Sequence, residues 1–240
     1  LNGAVKALGQ VCEATAKLGL TALVGTPLEV NGRLFNVAVA VSRGQILGVV
    51  PKTHLPNTGE FYEQRWFASA RVAPVSEIEL LGQKVPFGTD LLFQATDMPD
   101  CMVGIEICED LWAVEPPSGG QALAGATLLC NLSASDELLT KAAYRRDLVK
   151  SQSARCLAAY VYAAAGAGES STDIVYSGHG LIAENGVVLG ESERFRFDLA
   201  LIVSQIDLDR LAAERRRNST FFGAPVAVRP RVIGFTLGVP

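Results

Sequence analysis

Apolar residues at Leu1, Val5, Leu8, Cys12 and Ala16 recur at intervals of three or four, which predicts an amphipathic helix over residues 1–18. The period then shortens. Residues 20–24 form an apolar run closed by Gly25 and read as a buried strand. Runs at 35–41 and 45–50 are strand-like and joined by Ser42, Arg43 and Gly44, a hairpin signal. Residues 53–70 read as a loop, punctuated by Pro56, Asn57 and Gly59, with Phe61, Tyr62, Trp66 and Phe67 among charges. Strands are predicted at Leu91–Ala95, Met102–Ile107, 126–132 and 159–165, with a long helix over 138–158. Runs at 181–184 and 187–190 flank Asn185-Gly186, a type I′ hairpin signal. A last strand is predicted at 201–207, then a charged helix over Leu208–Arg217. Residues 218–240 form an apolar tail rich in Pro and Gly, without periodicity.

Helices alternating with strands, interrupted by two hairpins, predict a layered α/β fold with a mixed sheet. No repeat or low-complexity linker breaks the chain, so one domain over residues 1–240 is expected. Composition narrows the classes. Of 240 residues 49% are hydrophobic and 19% charged, with a net charge of −4, which excludes a disordered chain. The acidic balance, with a pI near 5.3, argues against nucleic-acid binding. The charge-free, mainly apolar stretch over 156–168 is shorter than the roughly 20 residues of a membrane span. The cysteines are Cys12, Cys101, Cys108, Cys130 and Cys156, an odd number with no CxxC spacing. A reducing, cytoplasmic setting is therefore expected. The two histidines, His54 and His179, lie far apart in sequence and read as polar loop residues bonded to their surroundings rather than zinc ligands.

Cys108 is the first chemical candidate. A predicted strand delivers it to a C-terminal strand end, where α/β folds place their sites. A buried cysteine that acts only as a small hydrophobe is the competing reading. Glu109 and Asp110 beside the sulfur would oppose thiolate formation, so a cation is needed. Lys52, just past a strand, could supply it; a solvated surface lysine is the alternative. Glu60, eight residues later, is one more loop carboxylate by itself. Arg145, Arg146 and Lys150 on the long helix read as a solvated basic face rather than an anion site.

Taken together, several segments are more specific. Pro51-Lys52-Thr53-His54-Leu55-Pro56, Gly59-Glu60-Phe61-Tyr62-Glu63 and Ile107-Cys108-Glu109-Asp110-Leu111-Trp112 resemble the nitrilase superfamily of carbon–nitrogen hydrolases. Asn131-Leu132-Ser133-Ala134-Ser135, residues 151–162, Gly168-Glu169-Ser170-Ser171-Thr172-Asp173 and Ala183-Glu184-Asn185-Gly186 resemble the glutaminase domains of glutamine-dependent NAD+ synthetases. The resemblance runs from about residue 20 to about residue 220 and implies an α-β-β-α sandwich with mixed sheets. It implies that Cys108 attacks the side-chain amide of glutamine and forms a glutamyl thioester. Lys52 then stabilises the tetrahedral intermediate, with the backbone N–H of Glu109 completing an oxyanion hole. Glu60 matches a supporting glutamate that positions the lysine and the substrate amide. Phe61, Glu109, Ser133 and Ser135 fall where the family binds glutamine, and so does Thr58, where the family often has tyrosine.

The resemblance also implies pieces that this sequence does not match. The family's general-base glutamate sits on a strand upstream of the first helix, in a context found nowhere in residues 1–50. The C-terminal synthetase domain with its pyrophosphate loop is not found before Pro240, and ATP and Mg belong to that domain; the glutaminase domain itself needs no cofactor. The N-terminal strands and the base are thus expected to be missing, and these 240 residues alone to hydrolyse glutamine poorly. A glutaminase feeding ammonia to a synthetase domain, in a homo-oligomer, is the leading reading. A free-standing amidase or carbamoylase, and a catalytically inactive assembly domain, stay open beside it.

Overall fold

The computed structural model describes residues 1–226 and 229–238. The chain divides into two compact units, residues 1–99 with 230–238, and Asp100–Arg229, a division that no change of composition marks.

In the first unit α1 (Asn2–Leu18) buries Leu8, Cys12 and Thr15 and stops at Gly19, whose left-handed φ of 62° lets its N–H reach Thr15 O. Three antiparallel strands follow: β1 (Thr21–Val30), β2 (Arg33–Ser42) and β3 (Gln45–Pro51), in the order β1-β2-β3. The turns between them are Asn31-Gly32 and Arg43-Gly44, each with two positive φ angles, the conformation that matches the twist of a hairpin. The strand expected at 20–24 is thus twice as long, and its first four residues are only half-buried. It runs through Pro27 because β1 is an edge strand, where a missing N–H costs no ladder bond. Phe35, Val37, Val39 and Val41 alternate along β2 and pack with Leu8, Cys12, Ile46, Val49 and Phe87. Each such side chain contributes roughly 1.5–3 kcal/mol when fully buried. The other face of β2 is buried too, at Ala38 and Ala40, so residues 37–41 are continuously apolar. A small hairpin of β4 (Glu77–Leu80) and β5 (Gln83–Pro86), which the sequence pattern did not show, precedes β6 (Leu91–Ala95).

The second unit is built on β7 (Met102–Ile107), α2 (Pro117–Leu123), β8 (Leu128–Ser133), α3 (Lys141–Arg155) and β9 (Ala159–Ala164). It continues with β10 (Gly180–Glu184), β11 (Val187–Glu191), α4 (Leu208–Arg217) and α5 (Ser219–Phe222). Strands β7, β8 and β9 are parallel, and β10 and β11 are added antiparallel, which makes the expected mixed sheet. Helix α2 lies so close to β7 that a Cβ at Gly104 would meet Gln121 Oε1 at 2.5 Å. The closeness lets Gln121 Nε2 donate to Ile105 O at 2.7 Å.

Two expectations fail towards the C-terminus. Residues 201–207 are not assigned to any strand. The tail instead carries β12 (Arg231–Phe235), paired in parallel with β6 of the first unit. No helix among the described residues is long and apolar enough to cross a membrane.

Candidate active site

Strand β7 ends at Ile107, and Cys108 opens a single tight turn, Cys108–Trp112. Its φ is +48°, a left-handed conformation that a cysteine adopts only when its surroundings impose it. Two buried side chains hold the backbone there. The Asp110 carboxylate accepts the N–H of Ile107 at 3.0 Å. The Asn131 carboxamide, on β8, brackets Cys108: Oδ1 accepts the Cys108 N–H at 3.0 Å and Nδ2 donates to the Cys108 carbonyl at 3.4 Å. Asn131 Nδ2 also donates to the Tyr160 hydroxyl at 3.2 Å. Tyr160, on β9, donates in turn to Glu106 Oε1, and Glu106 Oε2 accepts the Ser118 N–H at 2.9 Å. Burial pushes the Glu106 carboxyl up to about 7, against the pull of these hydrogen bonds. Cys108 itself is buried, with 8% of its surface exposed.

The glutamine-binding candidates on the same unit are already engaged by neighbours. Ser133 Oγ accepts from the Tyr162 hydroxyl at 2.6 Å. Burial first, then the neighbouring Cys108 sulfur, raises the pKa of that hydroxyl. Ser135 is buried, and its Oγ accepts from Arg145 Nη2 at 3.2 Å. Glu109 is half-buried in the turn that Cys108 opens.

Arg145 corrects the expectation of a solvated basic face: it is fully buried. Its guanidinium donates to Glu137 Oε1 at 2.6 Å and to Asp136 O at 2.9 Å. It lies 2.9 Å from His179 Nδ1. A guanidinium only donates, so Nδ1 must accept, and Nε2–H is left to donate to Glu191 Oε1 at 3.0 Å. Burial, the largest influence, lowers the pKa of His179 and favours this neutral tautomer. His179 is therefore a buried relay between Arg145 and Glu191. Burial would raise the Glu137 carboxyl, but Ser177 and Arg145 outweigh it and hold it below the usual range.

The lysine candidate belongs to the first unit. Lys52 follows β3, is 1% exposed, and is fixed by its own backbone: its N–H donates to Asn36 O and its carbonyl accepts from Ala70 N–H, both at 2.9 Å. Its ammonium lies 2.6 Å from Glu63 Oε2, and Asn36 Nδ2 donates to Glu63 Oε1 at 3.3 Å. The resemblance implies Glu60 as the lysine's supporting carboxylate, and the carboxylate on Lys52 in this structure is Glu63. The cause is local. Gly59 turns at φ +60°, Phe61 N–H reaches Thr58 O, and Glu63 N–H reaches Pro56 O. Glu63 then opens the turn Glu63–Arg65, with its carboxylate on Lys52. Glu60 and Phe61 are half-buried in the same loop, and Thr58 is exposed.

Sequence reasoning named Cys108 and Lys52 but not the buried groups bonded around them, Asn131, Tyr160 and Glu106 by the cysteine and Glu63 by the lysine. Among the described residues no group of three or more His, Cys, Asp or Glu side chains is arranged to hold a metal ion.

Comparison with known proteins adds the family. Residues 2–216 match the carbon–nitrogen hydrolase family. The chain is 47% identical over 221 residues to proteins from Mycobacterium bovis and Mycobacterium tuberculosis named glutamine-dependent NAD(+) synthetase, covering 92% of this chain and 32% of theirs. It therefore spans about a third of the length of the curated relatives it matches. The crystal structure of a glutamine-dependent NAD(+) synthetase from Cytophaga hutchinsonii superposes with a TM-score of 0.70 at 32% identity, over 81% of this chain and 31% of that one. A carbon–nitrogen hydrolase from Helicobacter pylori, at 18% identity and a TM-score of 0.66 over 86% of this chain and 69% of that one, shares the fold. The mixed α/β architecture and the matched residues agree, and the chain belongs to the carbon–nitrogen hydrolase family, with the nitrilase-superfamily fold.

Proposed function

We propose that this chain is the glutamine-hydrolysing part of a glutamine-dependent NAD+ synthetase. The observation that carries the reading is Cys108, held at a left-handed φ at the end of β7 by Asn131, within a chain 47% identical to proteins of that name. In the proposed reaction Cys108 Sγ attacks the side-chain amide carbon of glutamine. Collapse of the tetrahedral intermediate breaks the C–N bond, releases ammonia and leaves a glutamyl thioester, which water cleaves to glutamate and free thiol. Lys52, paired with Glu63, takes the part of the family's lysine, and the Glu109 backbone N–H that of an oxyanion donor. Thr58, Phe61, Ser133 and Ser135 are the proposed substrate contacts. The general base is not assigned to any described residue. The ammonia would then serve ATP- and Mg-dependent amidation of deamido-NAD+, chemistry of the part of the relatives' length that this chain does not span.

Ammonia and glutamate release from glutamine by the full-length protein, and NAD+ formation from deamido-NAD+ and ATP with glutamine as nitrogen donor, test the reading. Both are expected, and both are expected to vanish in Cys108→Ala; NAD+ formation fed by free ammonia is expected to survive. Faster turnover of another amide or a carbamoyl compound would favour the amidase reading. No turnover together with no labelling of Cys108 by a glutamine-analogue electrophile would favour an assembly domain.

Phe195, Phe197, Leu199, Leu201 and Val203 alternate along the chain and are largely exposed. An apolar stripe of this kind supports a proposal that the protein is a homo-oligomer, tested by its mass in solution. We also place it in the cytoplasm, a reading supported by five buried cysteines with no pairing pattern in the sequence.

A further inference from the structure

We infer that Glu106, Tyr160 and Asn131 form a directional chain of positioning residues that sets the backbone of the nucleophile Cys108. The inference rests on Cys108 being the nucleophile. The three residues come from successive parallel strands, β7, β9 and β8, and the β7–β8 register places Glu106 opposite Asn131. Asn131 and Glu106 are at most 2% exposed and Tyr160 is fully buried, so water does not substitute for any link.

The direction follows from the groups themselves. The Cys108 N–H can only donate, so it fixes Asn131 Oδ1, turns Nδ2 to the Tyr160 oxygen and leaves the Tyr160 O–H to point at Glu106 Oε1. A flipped carboxamide would set NH2 against N–H and carbonyl against carbonyl. The amide thus closes on both backbone groups of one residue, the residue whose φ is +48°. A non-glycine residue in that region costs on the order of 1–3 kcal/mol unless its neighbours hold it there.

Glu106 is held at both oxygens, by Tyr160 O–H and by Ser118 N–H at the start of α2. A glutamine there offers one acceptor and one NH2, so one of the two donors loses its partner. That is a physical reason for an acid in a strand interior, where a polar group is otherwise costly. None of the three residues bonds to the Cys108 sulfur. They act through its backbone, and their loss should displace Sγ without removing a substrate contact.

Tyr160→Phe removes one hydroxyl and keeps the ring. In the full-length protein it should lower kcat for ammonia release from glutamine by about 10- to 100-fold, the size expected for a displacement of reacting atoms by up to about 1 Å. KM should stay within about threefold of wild type. Alkylation of Cys108 by iodoacetamide, followed by peptide mass spectrometry, should slow in step, and this readout needs no glutamine chemistry. Asn131→Asp, which keeps the acceptor towards the Cys108 N–H and loses both donors, should fall between wild type and Asn131→Ala. A folded Tyr160→Phe protein with kcat and alkylation rate both within twofold of wild type would overturn the inference. If Tyr160→Phe does not fold, Glu106→Gln is judged by the same two readouts and the same limits. A wild-type protein that alkylates at Cys108 but releases no ammonia from glutamine would refute the glutaminase reading alone, and the alkylation rates would still decide the positioning role.

Discussion

The Lys52 ammonium is 2.6 Å from the Glu63 carboxylate, eleven positions along the chain, and the lysine is almost wholly withdrawn from water while the glutamate keeps a partly open side. A buried cation is tolerable only with a partner, and removing one member of such a pair is costly, roughly 3–5 kcal/mol when both are buried and less with one side open. Glu63→Gln should therefore lower glutamine turnover by at least about tenfold and reduce the urea midpoint. Glu60→Gln should have the smaller effect on both. Turnover that falls more in Glu60→Gln than in Glu63→Gln would return the supporting role to Glu60.

Glu106 makes stability depend on pH with an uncommon sign. Its carboxyl is pushed from 4.5 to about 7 by burial, so between those values the folded protein holds a proton that the unfolded chain has released. Stability from this group is full below pH 4.5 and is lost as pH rises to about 7, after which it is flat. At about 1.4 kcal/mol per unit the whole effect is on the order of 3 kcal/mol. Asp90, Glu137 and Glu191 have lowered pKa values, so their contributions are lost below pH 4.5, whereas His179, whose pKa burial lowers from 6.5, adds stability as pH rises towards 6.5 and opposes Glu106. His179 is common to both proteins, so the urea midpoint of the wild type measured relative to Glu106→Gln should fall from pH 5 to about 7 and then stay flat. Equal slopes in the two proteins would show that Glu106 titrates normally.

What the sequence disclosed and what it concealed divide along one line, local against non-local. Leu91–Ala95 and Met102–Ile107 were legible to the residue, because short apolar runs between turn residues have few other uses. Arg43-Gly44 and Asn185-Gly186 were legible because two successive positive φ angles need such residues. Strand β12 was not, since its ladder partner β6 lies some 140 positions away and nothing nearby announces it. Residues 201–207 erred in the other direction: an apolar run fits a strand, but a strand needs a neighbour to pair with. Cys108 and Lys52 could be named from motifs. Asn131, Tyr160 and Glu106 could not, because only the register of β7, β8 and β9 brings them into line. The choice between Glu60 and Glu63 was set by one tight turn after Gly59.

Arg215 of α4 is a clamp of a different kind. Its guanidinium donates to the carbonyls of Gly125, Ala126, Cys156 and Leu157, closing the backbone before β8 and the end of α3. Burial lowers its pKa to about 10, so it remains charged at neutral pH. A lysine there presents a point charge and cannot span four acceptors. Arg215→Lys should cost on the order of 2 kcal/mol, read from the urea midpoint with an unchanged slope, because buried carbonyls are left unpaired. A loss under about 0.5 kcal/mol would mean that water or another side chain takes over the acceptors.

Arg145 joins the stability of the fold to a proposed substrate contact, Ser135. Its charge is fully buried, and Glu137 is the carboxylate it meets, at 2.6 Å. The same guanidinium holds Ser135, a proposed glutamine contact, and the Asp136 carbonyl. Glu137→Gln leaves an acceptor for Arg145 but removes the countercharge, and should destabilise the protein by roughly 3–5 kcal/mol. Arg145→Lys keeps the charge and gives up the fork that reaches Glu137, Ser135 and Asp136 together. The loop 135–137 should then lose its fixed position while Cys108, held separately by Asn131, keeps its own. The expected result is a KM for glutamine raised about tenfold with the Cys108 alkylation rate unchanged, the reverse of the pattern expected for Tyr160→Phe. An unchanged KM in a folded Arg145→Lys protein would remove Ser135 from the list of substrate contacts and leave Arg145 with a purely structural role.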